Sequence, residues 1–281
     1  MRARYRLGGV SSKPMAESYP QRVLITGASS GLGAAFAVAC ARPGVTLFLG
    51  GRDAQRLGLV ADAVRERGAE AAIALVDVRD GEATARWIGG AGRLDLVLAN
   101  AGISAGTGGG EAESLAQARA IFATNLDGVL NTVFPAAEVM RMQAAGPGGV
   151  RGRIGVVASI AAFVPAPGAP AYCAAKAAAD AWAVATAPVW RREGIVLTSI
   201  CPGYVRTPMT AANRFPMPGL MEADRAAAIM LRGMLAGRRR VAFPWWMAAA
   251  ARLVGLLPAP WATGLLGTQP GKEPAGPLSS T

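Results

Sequence analysis

Tyr172 and Lys176 stand four residues apart in the run Tyr172-Cys173-Ala174-Ala175-Lys176. On a helix that spacing places both side chains on one face. The chain carries three lysines against 26 arginines, so a lysine here points to a task that a planar guanidinium does poorly. A neighbouring cation favours phenolate and draws a tyrosine pKa down from about 10 toward neutrality. A phenol tuned in that way can exchange a proton with a substrate oxygen. A buried tyrosine beside a snorkelling surface lysine has the same local pattern, so the pair must be weighed with the rest of the chain. Ser159 lies thirteen residues earlier and by itself reads as a turn serine. Asn125 falls inside a long helical segment, where an asparagine is ordinarily avoided.

The elements that would position these groups follow a strand–turn–helix alternation from residue 22 onward. Short apolar runs at 22–26, 45–49, 72–76, 94–98, 153–158 and 195–200 read as strands, with 241–243 a candidate seventh. Helical segments are expected at 32–42, 53–67, 82–89, 113–144 and 171–193. Continuously apolar strands separated by helices predict one α/β unit, a doubly wound, mostly parallel sheet of about seven strands with helices on both faces. Right-handed crossovers then place ligands beyond the carboxyl ends of the strands, at the point where strand order reverses.

The strand ends carry further chemistry. After the first comes Thr26-Gly27-Ala28-Ser29-Ser30-Gly31-Leu32-Gly33, a turn that lets backbone approach a pyrophosphate at a helix N-terminus. The second ends on Gly51-Arg52. A carboxylate at this strand end would hold a ribose 2′-hydroxyl; glycine followed by arginine suits a 2′-phosphate, so NADP(H) is expected in preference to NAD(H). Asp77-Val78 follows the third, where the carboxylate can accept from an adenine amino group; Asn100-Ala101-Gly102 follows the fourth, with room for a ribose. Either could equally cap the next helix.

Composition narrows the chemistry. Histidine is absent, which removes histidine triads, histidine general bases and histidine-ligated metals. The three cysteines, Cys40, Cys173 and Cys201, make neither a metal motif nor a disulfide framework, and a reducing cytoplasm is expected. The formal charge is +11, but the arginines are dispersed without an aromatic platform, so no nucleic-acid partner is expected. Residues 1–20, with Arg2, Arg4, Arg6 and Lys13, read as a disordered leader, and Met15 is an alternative start.

Taken together, Tyr172-x-x-x-Lys176, Ser159, Asn125, the Thr26–Gly33 turn, Asn100-Ala101-Gly102 and Pro202-Gly203-Tyr204-Val205-Arg206-Thr207 resemble the short-chain dehydrogenase/reductase family. The match runs in order from about residue 22 to about 210. The resemblance implies a Rossmann-type domain over 21–244. It makes Tyr172 the acid for carbonyl reduction and the base for alcohol oxidation. Lys176 would tune Tyr172 and hold the nicotinamide ribose, Ser159 the substrate oxygen, and Asn125 a relay water. Gly27, Ser29, Ser30, Gly31, Leu32, Gly33, Arg52, Asp77, Val78, Asn100, Ala101 and Gly102 would hold the rest of the cofactor, with Pro202, Gly203, Val205 and Thr207 at its nicotinamide end. No metal is implied.

The expected activity is NADP(H)-dependent oxidoreduction of a carbonyl or secondary alcohol, that is, a carbonyl reductase. The alternatives are a silent cofactor-binding regulator and, against the glycine spacing, an epimerase or dehydratase. The loop 207–220, with Met209, Phe215 and Met217, suits a hydrophobic small-molecule substrate. Two departures stand out. Pro188 is expected to kink or end the helix near Ala187, which favours a homodimer over a tetramer. Residues 245–281 form an apolar extension and flexible tail, read as a lid, a subunit contact or, through 238–266, a peripheral contact with the inner face of a membrane.

Overall fold

The computed structural model describes residues 19–267 except 109–111, 212 and 214. The expectations placed on 1–18 and 268–281, including the basic run, the start at Met15 and the flexible tail, lie outside the described residues. Tyr19 and Pro20, assigned to the leader by sequence, pack on the domain instead. The Tyr19 ring stacks under Arg42 and its hydroxyl donates to the carbonyls of Ala39 and Cys40.

Strands β1 (Arg22–Thr26), β2 (Thr46–Gly51) and β3 (Glu70–Leu75) alternate with helices α1 (Gly31–Cys40), α2 (Ala54–Arg65) and α3 (Gly81–Gly90). Then come β4 (Leu96–Ala99), α4 (Leu115–Phe122), a π-helical turn (Ala123–Asp127), α5 (Gly128–Met142), β5 (Gly152–Val157) and a short 3-10 turn (Ile160–Phe163). The chain continues through α6 (Pro170–Arg192), β6 (Ile195–Pro202), α7 (Pro208–Ala211), α8 (Ala223–Leu235) and β7 (Arg240–Phe243), to α9 (Trp245–Gly255) and α10 (Ala259–Gly267). The seven strands form one sheet in the order β3-β2-β1-β4-β5-β6-β7, every pair parallel.

Why the central strands read as unbroken apolar runs is visible in the packing. Val23 and Ile25 of β1 join Leu96 and Leu98 of β4 in a core under α1, α2 and α8. Leu24, Val97 and Ala99 face the opposite core, under α3, α5 and α6. Alternation with period two thus feeds two cores at once, and both faces must be apolar. The order reverses between β1 and β4, so the crevice at their carboxyl ends is the switch point.

Pro188 does not end its helix. α6 runs through it to Arg192. Pro188 sits on the exposed face, where the carbonyl it leaves unpaired can meet water. The last turn is held instead by Trp190, buried against Phe134 and Trp182 in edge-on contacts. The apolar stretch after β7 is likewise no single span: it forms two short helices separated near Pro258. Among the described residues no helix is long and apolar enough to cross a membrane.

Candidate active site

One cleft of about 430 Å³ opens at the carboxyl ends of β1 to β6. Its floor is the turn after β1. Gly27 and Gly31 have φ of +65° and +56°, a region that L side chains rarely adopt. Gly33 lies behind the turn rather than in the cleft, and a Cβ there would collide with the Gly27 carbonyl and the Asn100 amide. The amide is a clamp: Asn100 Nδ2 donates to Thr26 O at 3.1 Å and Gly27 O at 3.0 Å, and its backbone N–H donates to Thr26 Oγ1 at 3.1 Å. The α1 N-terminus has no side-chain cap and no acidic residue in its first turn. Its unpaired N–H groups and dipole therefore remain available to an anion. Ser29, Ser30 and Leu32 line the cleft beside them. A dinucleotide pyrophosphate fits this cradle.

At the β2 and β3 end lie Gly51, Arg52 and Arg56. Arg52 is 65% exposed and lies 3.7 Å from Asp77, and Arg56 pairs with Asp53 at 3.2 Å. Asp53 is also the α2 N-cap, accepting from Arg56 N. Asp77 lines the cleft with Val78, and its carboxylate is engaged by a neighbouring arginine. It accepts from Arg79 Nε at 2.9 Å and from Arg79 N at 3.0 Å, because the two residues share one turn. Partial burial works to raise the Asp77 pKa, but the Arg79 hydrogen bonds and the Arg79 and Arg52 charges outweigh it and hold the carboxyl below its ordinary value.

The acid–base pair sits across the switch point. Tyr172 and Lys176 are one turn apart on α6, and Lys176 Nζ lies 5.9 Å from the Tyr172 ring centre. Ser159 begins the 3-10 turn after β5, accepting from Ala161 N at 3.1 Å. It lines the same cleft as Tyr172. The expected cation-lowered phenol is not what the protein presents. Burial pushes Tyr172 up to about 12, the influence of Ser159 offsetting only part of it. Burial likewise pulls Lys176 down to about 8. The physical reason is that desolvation disfavours charge on both groups, and the ammonium is aimed at the Val157 carbonyl, 2.7 Å away.

Asn125 explains its own oddity. It is fully buried in the π-helical turn between α4 and α5, a distortion frequent at functional sites. Its Oδ1 accepts from Ile103 N and its Nδ2 donates to Ile103 O, both at 2.8 Å. The side chain thus fixes the loop after Gly102, which lines the cleft. Gly102 is needed for this approach: a Cβ there would lie 3.1 Å from Asn125 Oδ1 and 3.6 Å from Lys176 Nζ. Asn125 does not line the cleft; Ala101, Gly102 and Ile103 do.

The far wall comes from the exit of β6. Pro202, Gly203, Val205 and Thr207 line it, and Gly203 N donates to Phe243 O at 2.7 Å. Thr207 reaches across to the glycine turn, its Cβ 3.1 Å from where a Gly31 side chain would begin. Tyr204 and Phe215 meet edge-on at 6.0 Å in the loop above. From behind, Met247 of α9 abuts Gly203, and Trp246 abuts Gly219.

Two contributors escaped the sequence reading. Arg56 faces the same end as Arg52, one helical turn on, which its spacing could have indicated. Glu113 could not have been found. Its Oε2 accepts from Ala171 N at 2.9 Å and its Oε1 from Gln117 Nε2 at 2.9 Å, capping a helix whose own N-cap, Ala169, offers no side chain. Nothing in sequence links residues 58 apart.

Comparison with known proteins agrees with this architecture. Residues 21–216 match the family described as short chain dehydrogenase. An uncharacterized oxidoreductase of Myxococcus xanthus is 36% identical over 250 residues, spanning 88% of this chain and 96% of the relative. An 11-beta-hydroxysteroid dehydrogenase A of Arachis hypogaea is 33% identical over 208 residues, 72% of this chain and 57% of that protein. Among solved structures, levodione reductase superposes with a TM-score of 0.72 at 26% identity, covering 82% of this chain and 98% of its own.

Proposed function

The chain belongs to the short-chain dehydrogenase family, whose oxidoreductases use a nicotinamide cofactor, and from that premise we propose that it is an NADP(H)-dependent carbonyl reductase. Convergence of Tyr172, Ser159 and Lys176 on one cleft beside the glycine turn carries the reading. When bound, the nicotinamide supplies or takes the hydride; the protein's part is to hold it, to orient the substrate and to move a proton.

The turn at Gly27–Gly33 and the α1 N-terminus would hold the pyrophosphate. Arg52 and Arg56 would hold a 2′-phosphate, which the absence of a carboxylate at Gly51 supports. Val78, Ala101 and Gly102 would bracket the adenosine half, and Lys176, Pro202, Gly203, Val205 and Thr207 the nicotinamide half. The Ser159 and Tyr172 hydroxyls would receive the substrate oxygen between them. Tyr172, held as the neutral phenol across the ordinary pH range, is in the form that donates to a carbonyl oxygen, which supports the reductive direction. Lys176 provides the positive charge behind it.

A hydrophobic substrate is supported by Met209 in the cleft lining and by the apolar pair Tyr204 and Phe215 in the same 204–215 segment. The relatives named for a hydroxysteroid and for levodione lend weight to the same class. Exposed Phe134 and Val189 on α5 and α6 support a homodimer. Three buried free cysteines are compatible with a reducing cytoplasm. The test is fluorescence titration with NADPH and NADH, then a panel of aldehydes and ketones with loss of NADPH absorbance as the readout. Tight NADPH binding with turnover of an apolar ketone is the expected result; binding without turnover of any carbonyl would overturn the enzymatic reading.

A further inference from the structure

Among the described residues, Trp245 and Leu253 of α9, Leu256 just after it and Trp261 of α10 form an outer face that is left largely uncovered. Inward, Met247 and Ala248 of α9 and Ala262 of α10 are covered, and Gly255 lies so close to the Phe163 carbonyl that no side chain would fit. Outward, Trp245 is 78% exposed, Leu253 67%, Leu256 82% and Trp261 70%. Half of the chain's six tryptophans fall in these two helices. The others pack against the core. A soluble surface rarely gathers so much large apolar area without a use for it.

We propose that α9 and α10 seat this face on the surface of a bilayer bearing anionic lipid. Three observations select that occupant. The face is rich in tryptophan and leucine, the pairing that settles at the headgroup–acyl boundary. The helices have 11 and 9 residues, too short to cross a bilayer but suited to lie in its surface. Residues 225–272 contain no Asp or Glu, and Arg252 stands on α9 with its guanidinium 4.4 Å over the Phe163 ring. A second copy seated by two-fold symmetry would set like charges from this carboxylate-free segment against each other, whereas phosphatidylglycerol neutralises them.

In the run Arg238-Arg239-Arg240, Arg240 is held inside by Asp180, which leaves the exposed Arg238 and Arg239, with Arg252 at the edge of α9 beside Phe163, to meet the lipid charge. Because Trp246 and Met247 back Gly219 and Gly203, the same helix joins the lipid face to the wall of the substrate loop. The docking itself stands whatever carbonyl is reduced.

Full-length protein is floated with vesicles of phosphatidylcholine alone and with vesicles containing phosphatidylglycerol. Tryptophan quenching by brominated lipid is read in parallel. The expected result is flotation and quenching with the anionic vesicles, weakened by salt. The triple variant Trp245→Ser/Leu256→Ser/Trp261→Ser should partition at least about a hundredfold more weakly, with NADPH binding unchanged. Unchanged NADPH affinity separates this result from a failure of the enzymatic reading. Absence of flotation and quenching in the parent protein overturns the proposal even if the triple variant does not fold. So does a parent dimer that the same substitutions dissociate without any lipid binding.

Discussion

Arg240 of the edge strand β7 is locked to the buried Asp180 of α6, Nη2 to Oδ2 at 2.7 Å and Nε to Oδ1 at 2.9 Å. Asp180 also accepts from Ser199 Oγ at 2.6 Å, so β6, β7 and α6 meet at one carboxylate. This carboxylate lies one helical turn beyond Lys176 on the helix that carries the acid–base pair. Removing the guanidinium leaves a buried negative charge. Arg240→Met should therefore cost about 3 kcal/mol, the low end for a broken buried pair because the arginine is 32% exposed. Asp180→Asn in the same chain should restore part of the loss, as urea melts of the double-mutant cycle will show.

Tyr172→Phe removes the proposed proton donor and keeps the ring. Turnover should fall by roughly 10²- to 10⁴-fold, while NADPH affinity changes little because the cradle at Gly27–Gly33 is untouched. Single-turnover kinetics beside a fluorescence titration check both halves. Near-normal turnover would sink the assignment.

Lys176 titrates the other way from a paired lysine. Its pKa falls from 10.5 unfolded to about 8 folded, through burial. Between those values the unfolded chain binds more protons, so this group makes stability rise with pH across the window. Lys176→Met removes the effect. The wild type should gain on that variant by about 2 kcal/mol between roughly pH 8 and pH 10, measured by denaturant melts. Reductive turnover of the wild type should decline above about pH 8 as the ammonium is lost.

Gly51→Asp tests the cofactor reading directly. A Cβ there meets Leu57 and Ser29 at 3.5 Å, ordinary contacts, so the side chain can be accommodated. A carboxylate at this strand end should repel a 2′-phosphate and shift preference toward NADH. Arg52→Ala should weaken NADPH by about 10- to 100-fold, with NADH unaffected. Equal losses for both cofactors would count against a 2′-phosphate contact.

Glu113→Ala uncaps the N-terminus of α6 at Ala171, one residue before Tyr172. A loss of about 1 kcal/mol is expected, read by thermal denaturation.

Much of the fold was legible because local chemistry and sheet geometry agree. Buried parallel strands need apolar faces on both sides, so the runs at 22–26 and 94–98 announced themselves as strands. Gly27 and Gly31 announced a turn that only glycine follows comfortably. The order of Ser159, Tyr172 and Lys176 then named a family and the cleft in which they would meet. The helix end expected at Pro188 does not occur because helix propensity is a local cost, and the burial of Trp190 two residues on outweighs it.

What the tertiary structure alone decided depends on distance through space. The sequence set a phenol beside an ammonium; burial, which spacing does not reveal, determines that the phenol stays neutral and the ammonium is weakened. Asn125 was visible as an anomaly, but Ile103 as its partner was not. Nothing in the run Arg238-Arg239-Arg240 points to Asp180, 60 positions earlier, which lies beneath Arg240. Residue types are written in the chain. Their charge states and partners are set by what the fold packs around them, because desolvation and hydrogen bonding act over a few ångströms of space and not along the backbone.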